Sequence, residues 1–397
     1  MINKAEEKNR SFNMIAKTIR GAEEAAAAEL SALGASQVKT QTCTVDFEGD
    51  RRLLYKANIW CRTVMRILVP LRVFHATDKD ELYQHVGTVN WSRFMNPDGF
   101  LTVDAFINNS AFRHSMYVAQ RTKDAIVDQF RSKKGRRPSV DFRNPDLRVN
   151  IFIEGERAIL SLDSSGEPLF RRGYRTEGGG EAPLNEVLAA SIVALSKWDA
   201  KTPLIDPMCG SGTVVIEAAL LARRKANGLL RRSFGFTRWK DYDRELHDTL
   251  YKEASQAMLE KSPCTIVGSD INREIIYEAK ANARRAGVDQ DILFEVKSLE
   301  EQTPPSNPGM VIMNPPYDKR LKLEDMESFY RMIGDSLKRK YKGYQACIFT
   351  GSAAAAKSVG LQTSSRIPLF NGPLECRLLK YDVYEGTRKK KATREKT

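Results

Sequence analysis

The sequence predicts a mixed α/β protein, with an α+β N-terminal part and a mostly parallel sheet in its C-terminal half. Three observations carry this prediction. After about residue 187, short apolar strands alternate with helices, which is typical of βαβ units. Before about residue 165, helix and strand patterns follow one another without that alternation. Near the end, two strand patterns flank Asn371-Gly372, a dipeptide that favours a β-hairpin.

The first elements belong to the α+β part. The stretch "GAEEAAAAELSAL" (21–33) predicts a helix by its alanine content, ending at Gly34. The stretch "TCTVDFEG" (42–49) alternates between apolar and polar residues as a strand does. The stretch "LLYKANIWCRTVMRILV" (53–69) predicts a helix that runs into a strand. Together they indicate a small α+β unit up to about residue 72.

A second group of elements follows, and it is rich in basic residues. We expect a strand over 100–109, an amphipathic helix over 115–135, and a hairpin over 147–163 that turns at Glu154-Gly155. The helix and the segment after it carry Arg131, Lys133, Lys134, Arg136, Arg137, Arg143 and Arg148. Such a run is either a solvated face or a surface that contacts phosphates, and the sequence leaves both open.

The pattern changes after a junction over 166–186, which is rich in glycine, proline and charge. Strands are then expected at 203–206, 265–270, 292–297, 310–313 and 346–350. Helices are expected between them, for example over 272–286 and 323–338. The final segment, "GTRKKKATREKT" (386–397), has the composition of a disordered basic tail.

Composition narrows the class of protein. The net charge of +13 favours a polyanionic partner, above all nucleic acid, although a protein can simply be basic. The six cysteines and four histidines are scattered without C-x-x-C spacing, so neither a metal site nor a disulfide framework is expected. The charged start "MINKAEEKNR" has no apolar core and no stretch is long enough to span a bilayer. We therefore expect a cytoplasmic protein with no membrane partner.

The first candidate site is the stretch "LIDPMCGSGTVVIEAA" (204–219), where a strand ends at Asp206 and a helix starts near Thr213. Ligands of open parallel sheets bind outside the carboxyl ends of the strands. Gly210 and Gly212 would let the backbone approach a ligand, and Asp206 could pair with a cation. The spacing is neither that of dinucleotide-binding proteins nor that of a P-loop, which disfavours a nicotinamide oxidoreductase. A plain glycine-rich turn is the alternative.

The second candidate is Asp270, which ends the predicted strand "TIVGSD". An acidic residue at the end of the second strand can accept both hydroxyls of a ribose. Alternatively, Asp270 could cap the helix that follows. The first interpretation gains weight because Asp206 and Asp270 close two consecutive strands of the same predicted sheet.

The third candidate is "NPPY" (314–317), which ends the predicted strand "MVIM". The side-chain oxygen of Asn314 and the carbonyl of Pro315 could both accept from an exocyclic amino group, and Tyr317 could stack on a planar base. The reaction would then depend mainly on positioning the amine in line with an electrophile, without a Ser-His or Cys-His pair. A simple turn is the alternative.

In order and spacing, these motifs resemble those of class I S-adenosylmethionine-dependent amino-methyltransferases. The stretches "LFRRGYR" (169–175) and "APLNEVLAA" (182–190) are similar to the junction in bacterial methyltransferases with an N-terminal THUMP RNA-binding domain, the 23S rRNA guanine-N2 family. The resemblance covers about 13–385 and implies a Rossmann-like methyltransferase sheet. It implies that residues 1–72 form a ferredoxin-like subdomain and residues 73–165 a THUMP domain. Residues 166–186 would be a linker, residues 187–385 the methyltransferase domain and residues 386–397 a disordered basic tail.

The resemblance also implies roles for residues, with S-adenosylmethionine as the cofactor and no metal. The implied cofactor-binding residues are Pro183, Asp206, Pro207, Cys209, Gly210, Ser211, Gly212, Thr213, Asp270, Ile271, Ser298 and Asn314. The implied catalytic residues, which would hold the base, are Asn314, Pro315, Pro316 and Tyr317. The implied RNA-binding residues are Arg131, Lys133, Lys134, Arg136, Arg137, Arg171 and Arg172.

The chain departs from the family pattern at three places. The usual acidic residue after the third strand is missing, so Ser298 or Glu300 must serve. Asn185 stands where related sequences often carry a basic residue. Asp318-Lys319 replaces the more usual Gly-Glu after the tyrosine.

The expected activity is methyl transfer to the exocyclic N2 of a guanine, in 23S rRNA or a pre-ribosomal particle. The alternatives are an N6-adenine methyltransferase on DNA or RNA and a non-catalytic RNA-binding assembly factor.

The segment "RRSFGFTRWKDYD" (231–243) could grip single-stranded RNA or be an insertion packed on the sheet. Phe170, Arg171, Arg172 and Tyr174 are open to the same two interpretations, RNA contact or domain docking. The sequence does not fix the nucleotide or the oligomeric state.

Overall fold

The computed structural model describes residues 10–175, 184–316 and 323–384, without the side chains of 323 and 324. The chain forms two units. The described part of the N-terminal unit consists of 10–175, 185–191 and 224–259, and that of the C-terminal unit of 184, 192–223, 260–316 and 323–384. Pro183, Tyr317 and the predicted tail lie outside the described residues.

The N-terminal unit is built on an eight-stranded sheet within the described residues, in the order β2-β3-β1-β4-β8-β7-β5-β6. Its strands are β1 (Phe12–Thr18), β2 (Ser36–Gln41), β3 (Thr44–Gly49), β4 (Val64–His75), β5 (Phe100–Asn108), β6 (Ser139–Val140), β7 (Leu147–Glu154) and β8 (Arg157–Asp163). Its helices include α1 (Glu23–Leu33), α2 (Arg51–Trp60), α3 (Lys79–Gly87) and α4 (Ser115–Lys134). β4 pairs antiparallel with both β1 and β8, so the sheet continues across the predicted boundary at residue 72. The predicted domain limits stay predictions.

Local sequence explains where these helices begin and end. Asp50 and Asp78 cap the N-termini of α2 and α3 by accepting backbone hydrogen bonds from Leu53 and from Asp80 and Glu81, respectively. Gly34 and Gly135 end α1 and α4 in the left-handed conformation, as the sequence predicts for Gly34.

The segment 224–259 packs within the N-terminal unit. The Phe236 ring is fully buried and stacks on Tyr55 of α2, with 4.0 Å between centroids and 12° between planes. Phe234 and Trp239 are also buried. The predicted RNA contact is therefore wrong for these three aromatic residues, because their rings are covered by protein. The insertion packs within the N-terminal unit, where its buried aromatic rings join the core that includes Tyr55 of α2.

The junction before residue 176 is also anchored inside the N-terminal unit. Arg172 is only 1% exposed, and its guanidinium donates to the carbonyls of Leu169 (2.7 Å) and Arg62 (2.5 Å). The prediction that Arg172 binds RNA is thus wrong, since the side chain satisfies backbone carbonyls in the interior. Tyr174 is buried as well, whereas Arg171 is exposed beside Glu167, so its RNA contact stays a prediction.

The C-terminal unit is built on a seven-stranded sheet within the described residues, in the order β11-β10-β9-β12-β13-β15-β14. Its strands are β9 (Leu204–Asp206), β10 (Ile266–Asp270), β11 (Ile292–Val296), β12 (Met310–Met313), β13 (Gln345–Thr350), β14 (Thr363–Asn371) and β15 (Leu374–Asp382). Among the described residues, the remaining α-helices are α5 (Glu186–Ser196, of which 186–191 belong to the N-terminal unit), α6 (Thr213–Ala222), α7 (Arg244–Gln256, in the N-terminal unit), α8 (Arg273–Ala286) and α9 (Leu323–Lys340).

The strands β11, β10, β9, β12 and β13 are parallel, and the β14–β15 hairpin adds antiparallel to β13. This confirms the predicted fold class, including the hairpin that turns at Asn371-Gly372. Within the described ranges, each helix is too short or too polar to cross a membrane.

Candidate functional site

A cavity of about 590 Å³ opens at the carboxyl ends of β9, β10 and β12. The sheet order reverses at β9, which lies between β10 and β12, and such a switch point is where open α/β sheets bind ligands. The predicted residues that line the cavity are Asp206, Pro207, Cys209, Gly210, Ser211, Thr213, Asp270, Ile271, Ser298, Asn314, Pro315 and Pro316. The structure thus brings together most of the residues predicted from three separate motifs.

The turn between β9 and α6 needs glycine at two positions. Gly210 has φ +53° and faces open space, so its backbone can approach a ligand. Gly212 has φ +86°, and a Cβ there would lie 3.1 Å from the Cβ of Ala279 on α8. Gly212 therefore allows α6 and α8 to pack closely, and it is absent from the residues that line the cavity.

Asp206 is a buried carboxyl group at the base of this cavity. It is 1% exposed, and its Oδ1 accepts a hydrogen bond from the backbone of Met208 at 3.1 Å. Burial raises the pKa of Asp206 to about 8, and the nearby Asp270 adds to the rise. The carboxyl group is thus held where a cationic ligand would stabilise its charged form.

Asp270 ties the glycine turn to the end of β10. One carboxylate oxygen accepts from the backbone of Gly210 (3.1 Å) and the other from that of Asn272 (3.0 Å). The N-cap of α8 is Asn272, whose side chain accepts from Glu274 and Ile275, so the capping interpretation of Asp270 is wrong. Each Asp270 oxygen keeps capacity for a second hydrogen bond.

Asn314 presents an unsatisfied acceptor to the cavity. Its Oδ1 is buried and has no hydrogen-bond partner within the described part of the protein. Leaving a buried polar atom unpaired costs free energy, so such an atom commonly marks a place where a ligand supplies the partner. Pro315 and Pro316 also line the cavity, whereas Tyr317 and Pro183 lie outside the described residues.

The region after β11 distinguishes the two candidates for the missing acidic residue. Ser298 lines the cavity, and its backbone and hydroxyl donate to one carboxylate oxygen of Glu301 at 2.9 and 3.0 Å. These hydrogen bonds lower the pKa of Glu301. Glu300 is absent from the described lining. Of the two candidates, only Ser298 is therefore placed beside the cavity.

Several further lining residues are not among the predicted site residues, and except for Met208 and Val214 of the first motif they come from elements outside the three motifs. They are Leu184, Met208, Val214, Ile275, Glu278, Leu299, Phe329, Met332, Asn371 and Leu374. Phe329 and Met332 are three residues apart on α9, so the sequence could have predicted that they share one face of the helix. The sequence could not have predicted that this face borders the cavity. Asn371 and Leu374 flank the turn of the β14–β15 hairpin, whose return to the sheet edge decides their position.

The predicted basic residues at the end of α4 are accessible. Arg131, Lys133, Lys134, Arg136 and Arg137 are all exposed, and Arg136 pairs with Asp98 at 2.9 Å. Exposure is compatible with phosphate contacts, so their RNA role stays a prediction. Among the residues that the structure describes, no three His, Cys, Asp or Glu side chains are grouped to hold a metal ion.

Three family models match the chain. One described as "RMKL-like, methyltransferase domain" matches residues 172–380, one described as "THUMP domain" matches 76–163, and one described as "RlmL ferredoxin-like domain" matches 13–68. Together the matches cover most of the chain, and residues 164–171 lie between the THUMP match and the methyltransferase match.

Among curated relatives, the Ribosomal RNA large subunit methyltransferase K/L of Syntrophotalea carbinolica is 42% identical over 92% of this chain and 53% of its own length. Protein slr0064 of Synechocystis sp., provisionally named an RNA methyltransferase, is 40% identical over 93% of this chain and 96% of its own. The chain spans about half the length of the K/L relatives that it matches.

Among solved structures, SMU.472, provisionally named a methyltransferase and solved with SAH, matches with a TM-score of 0.85 at 28% identity. The match covers 95% of this chain and 100% of that one. The sequence match extends over both units, and the solved structure shares their fold. The chain therefore belongs to the family of RMKL-like methyltransferases that carry an N-terminal THUMP domain.

Proposed function

We propose that this protein is an S-adenosylmethionine-dependent RNA methyltransferase that modifies the exocyclic N2 of a guanine in large-subunit ribosomal RNA. The observation that carries the proposal is the Oδ1 of Asn314, which is buried and has no hydrogen-bond partner among the described residues. Asn314 lines the same cavity as Asp206 and Asp270. An acceptor for an amino group and two carboxylates at neighbouring strand ends are the groups that such a reaction needs. The curated relatives named as large-subunit rRNA methyltransferases support the choice of RNA.

The cavity residues fit the proposed cofactor. The buried carboxyl of Asp206 suits the cationic amino-acid end, and the free hydrogen-bonding capacity of Asp270 suits the two ribose hydroxyls. Ile271 is 77% exposed and offers apolar surface to a purine. The volume of about 590 Å³ lies in the usual range for ligand sites. When bound, the cofactor supplies an electrophilic methyl group.

The protein's part in the reaction is to bind and orient the amine. The Oδ1 of Asn314 and the carbonyl of Pro315 would each accept an N–H of the exocyclic amino group. Held by both, the amine would present its lone pair to the methyl donor, and positioning supplies much of the rate. As the N–C bond forms, the bond between sulfur and the methyl group would break and the nitrogen would lose one proton to solvent. A paired and stacked base hides this amino group, so the target base must leave its stack. The stacking of Tyr317 on that base is part of the proposal.

The test is to incubate the purified protein with S-adenosylmethionine and 23S rRNA from cells that lack the activity, followed by mass spectrometry of the nucleosides. The Asn314→Ala protein is the matched control. N2-methylguanosine formed only by the unchanged protein would support the proposal. N6-methyladenosine would keep the mechanism and replace the substrate, since Asn314 and Pro315 can hold either amino group.

A non-catalytic RNA-binding assembly factor is the alternative to an enzyme. Calorimetry with S-adenosylmethionine separates the two. Absence of binding would favour the assembly factor, and binding without any product would indicate that a pre-ribosomal particle is the substrate. As an enzyme of ribosomal RNA, the protein would act in the cytoplasm.

A further inference from the structure

A second cavity of about 590 Å³ lies on one face of the N-terminal sheet, away from the residues discussed above. Along β7 the residues alternate. Val149, Ile151 and Ile153 are fully buried in the core, whereas Asn150 and Phe152 line the cavity. The cavity therefore belongs to the sheet face opposite that core. Its walls come from β1 to β3 on one side and from β4, β5, β7 and β8 on the other.

Apolar side chains form a row across this face. Phe106 on β5 is the register partner of Phe152 on β7. Ile159 on β8 is the register partner of Phe152 on one side and of Val73 on β4 on the other. Phe106 is 50% exposed and Val73 is 53% exposed. Two aromatic rings side by side on adjacent strands provide a platform on which a planar group can stack.

A lysine closes one side of the row. The Nζ of Lys17 lies 4.1 Å from the centroid of the Phe106 ring. β1 and β5 are separated by three strands in the sheet, so this contact requires the sheet to curl and makes the face concave. Burial lowers the pKa of Lys17, while nearby Asp163 opposes the shift. A partly desolvated ammonium beside an exposed ring is a setting for cation–π recognition.

The floor of the cavity carries buried polar groups. Asn150 and Ser161 are register partners on β7 and β8, and both are almost completely buried. The hydroxyl of Ser161 has no hydrogen-bond partner among the residues that the structure describes. A ligand with donors and acceptors at its edge would satisfy this group, which a purely apolar ligand would not.

Charge indicates what kind of ligand fits. The charged residues that line the cavity are Lys17, Lys39, Arg157, Asp46, Glu48 and Glu154. The three cations and three carboxylates balance, so this face does not attract a phosphate backbone by net charge. A neutral planar group with polar edges meets the rings and the Ser161 hydroxyl, and a nucleobase has that chemistry.

We propose that this concave face binds one unpaired nucleobase of the RNA substrate, stacked on Phe106 beside Lys17 with its polar edge toward Asn150 and Ser161. The proposal rests on the proposed function for RNA as the substrate. It assigns the base to a site built jointly by the segments that match the ferredoxin-like and THUMP models, because Lys17 lies in one match and Phe106 in the other.

The experiment uses the full chain and a single-stranded RNA of about ten nucleotides with one 2-aminopurine, whose fluorescence is quenched by stacking. Titration of the unchanged protein should quench the signal saturably. Phe106→Leu keeps apolar volume but removes the ring, and we expect roughly five- to tenfold weaker binding. Phe100→Leu is the matched control on the same strand, with similar exposure and outside the cavity, and it should bind as the unchanged protein does.

A second measurement does not depend on a folded variant. RNA with 4-thiouridine is photocrosslinked to the unchanged protein, and the attached peptides are identified by mass spectrometry. Crosslinks to β5, β7 or β8 support the site. The proposed site would be overturned if Phe106→Leu and Phe100→Leu bound the RNA with equal affinity, or if crosslinks were confined to other segments. Either result would also be expected if this face binds a peptide instead of RNA. Cofactor binding and methyl transfer are measured separately, so failure of this site leaves the proposed function testable.

Discussion

At the scale of single residues, Asn314 is the side chain on which the proposed chemistry depends. We expect Asn314→Ala to lower kcat by about a hundredfold or more, because the amine loses one of its two positioning acceptors. Affinities for cofactor and RNA should change little. Single-turnover kinetics and separate binding titrations check both parts. A parallel loss of RNA binding and turnover would show that Asn314 acts elsewhere than at the base.

Asp206 gives a prediction about pH. Its pKa of about 8 means that the carboxyl group is mostly neutral at pH 7 in the free protein. A cationic ligand favours the carboxylate, so binding should release close to one proton at pH 7. Affinity should rise roughly tenfold between about pH 7 and 9 as the carboxyl group ionises. Calorimetry in buffers of different ionisation enthalpy measures the protons released.

The matched variant is Asp206→Asn, which cannot ionise and also controls for titration of the ligand itself. It should bind weakly and release no proton from this position. The raised pKa has a second consequence, because the neutral carboxyl group stabilises the fold at low pH and that contribution is lost as pH rises through about 8. Pronounced proton release by the Asp206→Asn protein would contradict the assignment.

At the scale of elements, the insertion 224–259 shows how a surface interpretation of aromatic residues can fail. Phe236→Ala should destabilise the protein by about 3–5 kcal/mol, because it removes a fully buried ring stacked on Tyr55. Denaturant unfolding measures the decrease in stability. Phe142→Ala, whose ring is 75% exposed, should stay within about 0.5 kcal/mol. A Phe236→Ala protein of normal stability that binds RNA poorly would restore the RNA-contact interpretation.

The tip of the β14–β15 hairpin brings Asn371 to the cavity that holds Asn314. An amide there can hydrogen-bond the part of the base that does not react, and Asn371→Ala should lower kcat/KM for RNA roughly five- to tenfold. Affinity for the cofactor should stay near that of the unchanged protein. Glu375→Ala, on the same hairpin but outside the cavity, is the control. If both variants keep full kcat/KM, the hairpin only completes the sheet.

The sequence predicts these elements unevenly, for physical reasons. Strand ends at Asp206, Asp270 and Asn314 were predictable because apolar runs, glycine and proline act locally. The terminal hairpin was predictable from Asn371-Gly372. The burial of Phe236 and Arg172 was not, because both depend on partners far away in the chain, Tyr55 and Arg62. Aromatic and basic residues look alike in sequence whether they cover a helix or contact RNA.

At the scale of the whole molecule, the chain does not divide into consecutive domains. The match to the methyltransferase family begins at residue 172, yet 185–191 and 224–259 within it belong to the N-terminal unit. Arg231 joins the segment 224–259 to the end of 10–175 within this unit, because its guanidinium donates to three backbone carbonyls at 2.9 Å each, those of Glu167, Pro168 and Arg171. Each unit therefore contains segments that are separated in sequence, which no local pattern could reveal.

The charge of the whole molecule leads to a prediction that separates two kinds of RNA contact. The net charge is +13, and RNA binding should therefore weaken as salt is added. The logarithm of the affinity for RNA should fall linearly with the logarithm of the salt concentration, because each neutralised phosphate releases counterions. Replacing exposed Lys133, Lys134 and Arg137 with glutamine should reduce the slope by about 0.7–0.9 for each phosphate that the variant no longer neutralises. Phe106→Leu should weaken binding without changing the slope, since stacking releases no counterions. Affinity measured over a salt series in all three proteins distinguishes these effects. A slope unchanged by the triple substitution would show that the end of α4 is a solvated face, and phosphate contacts would then have to be sought on other basic residues.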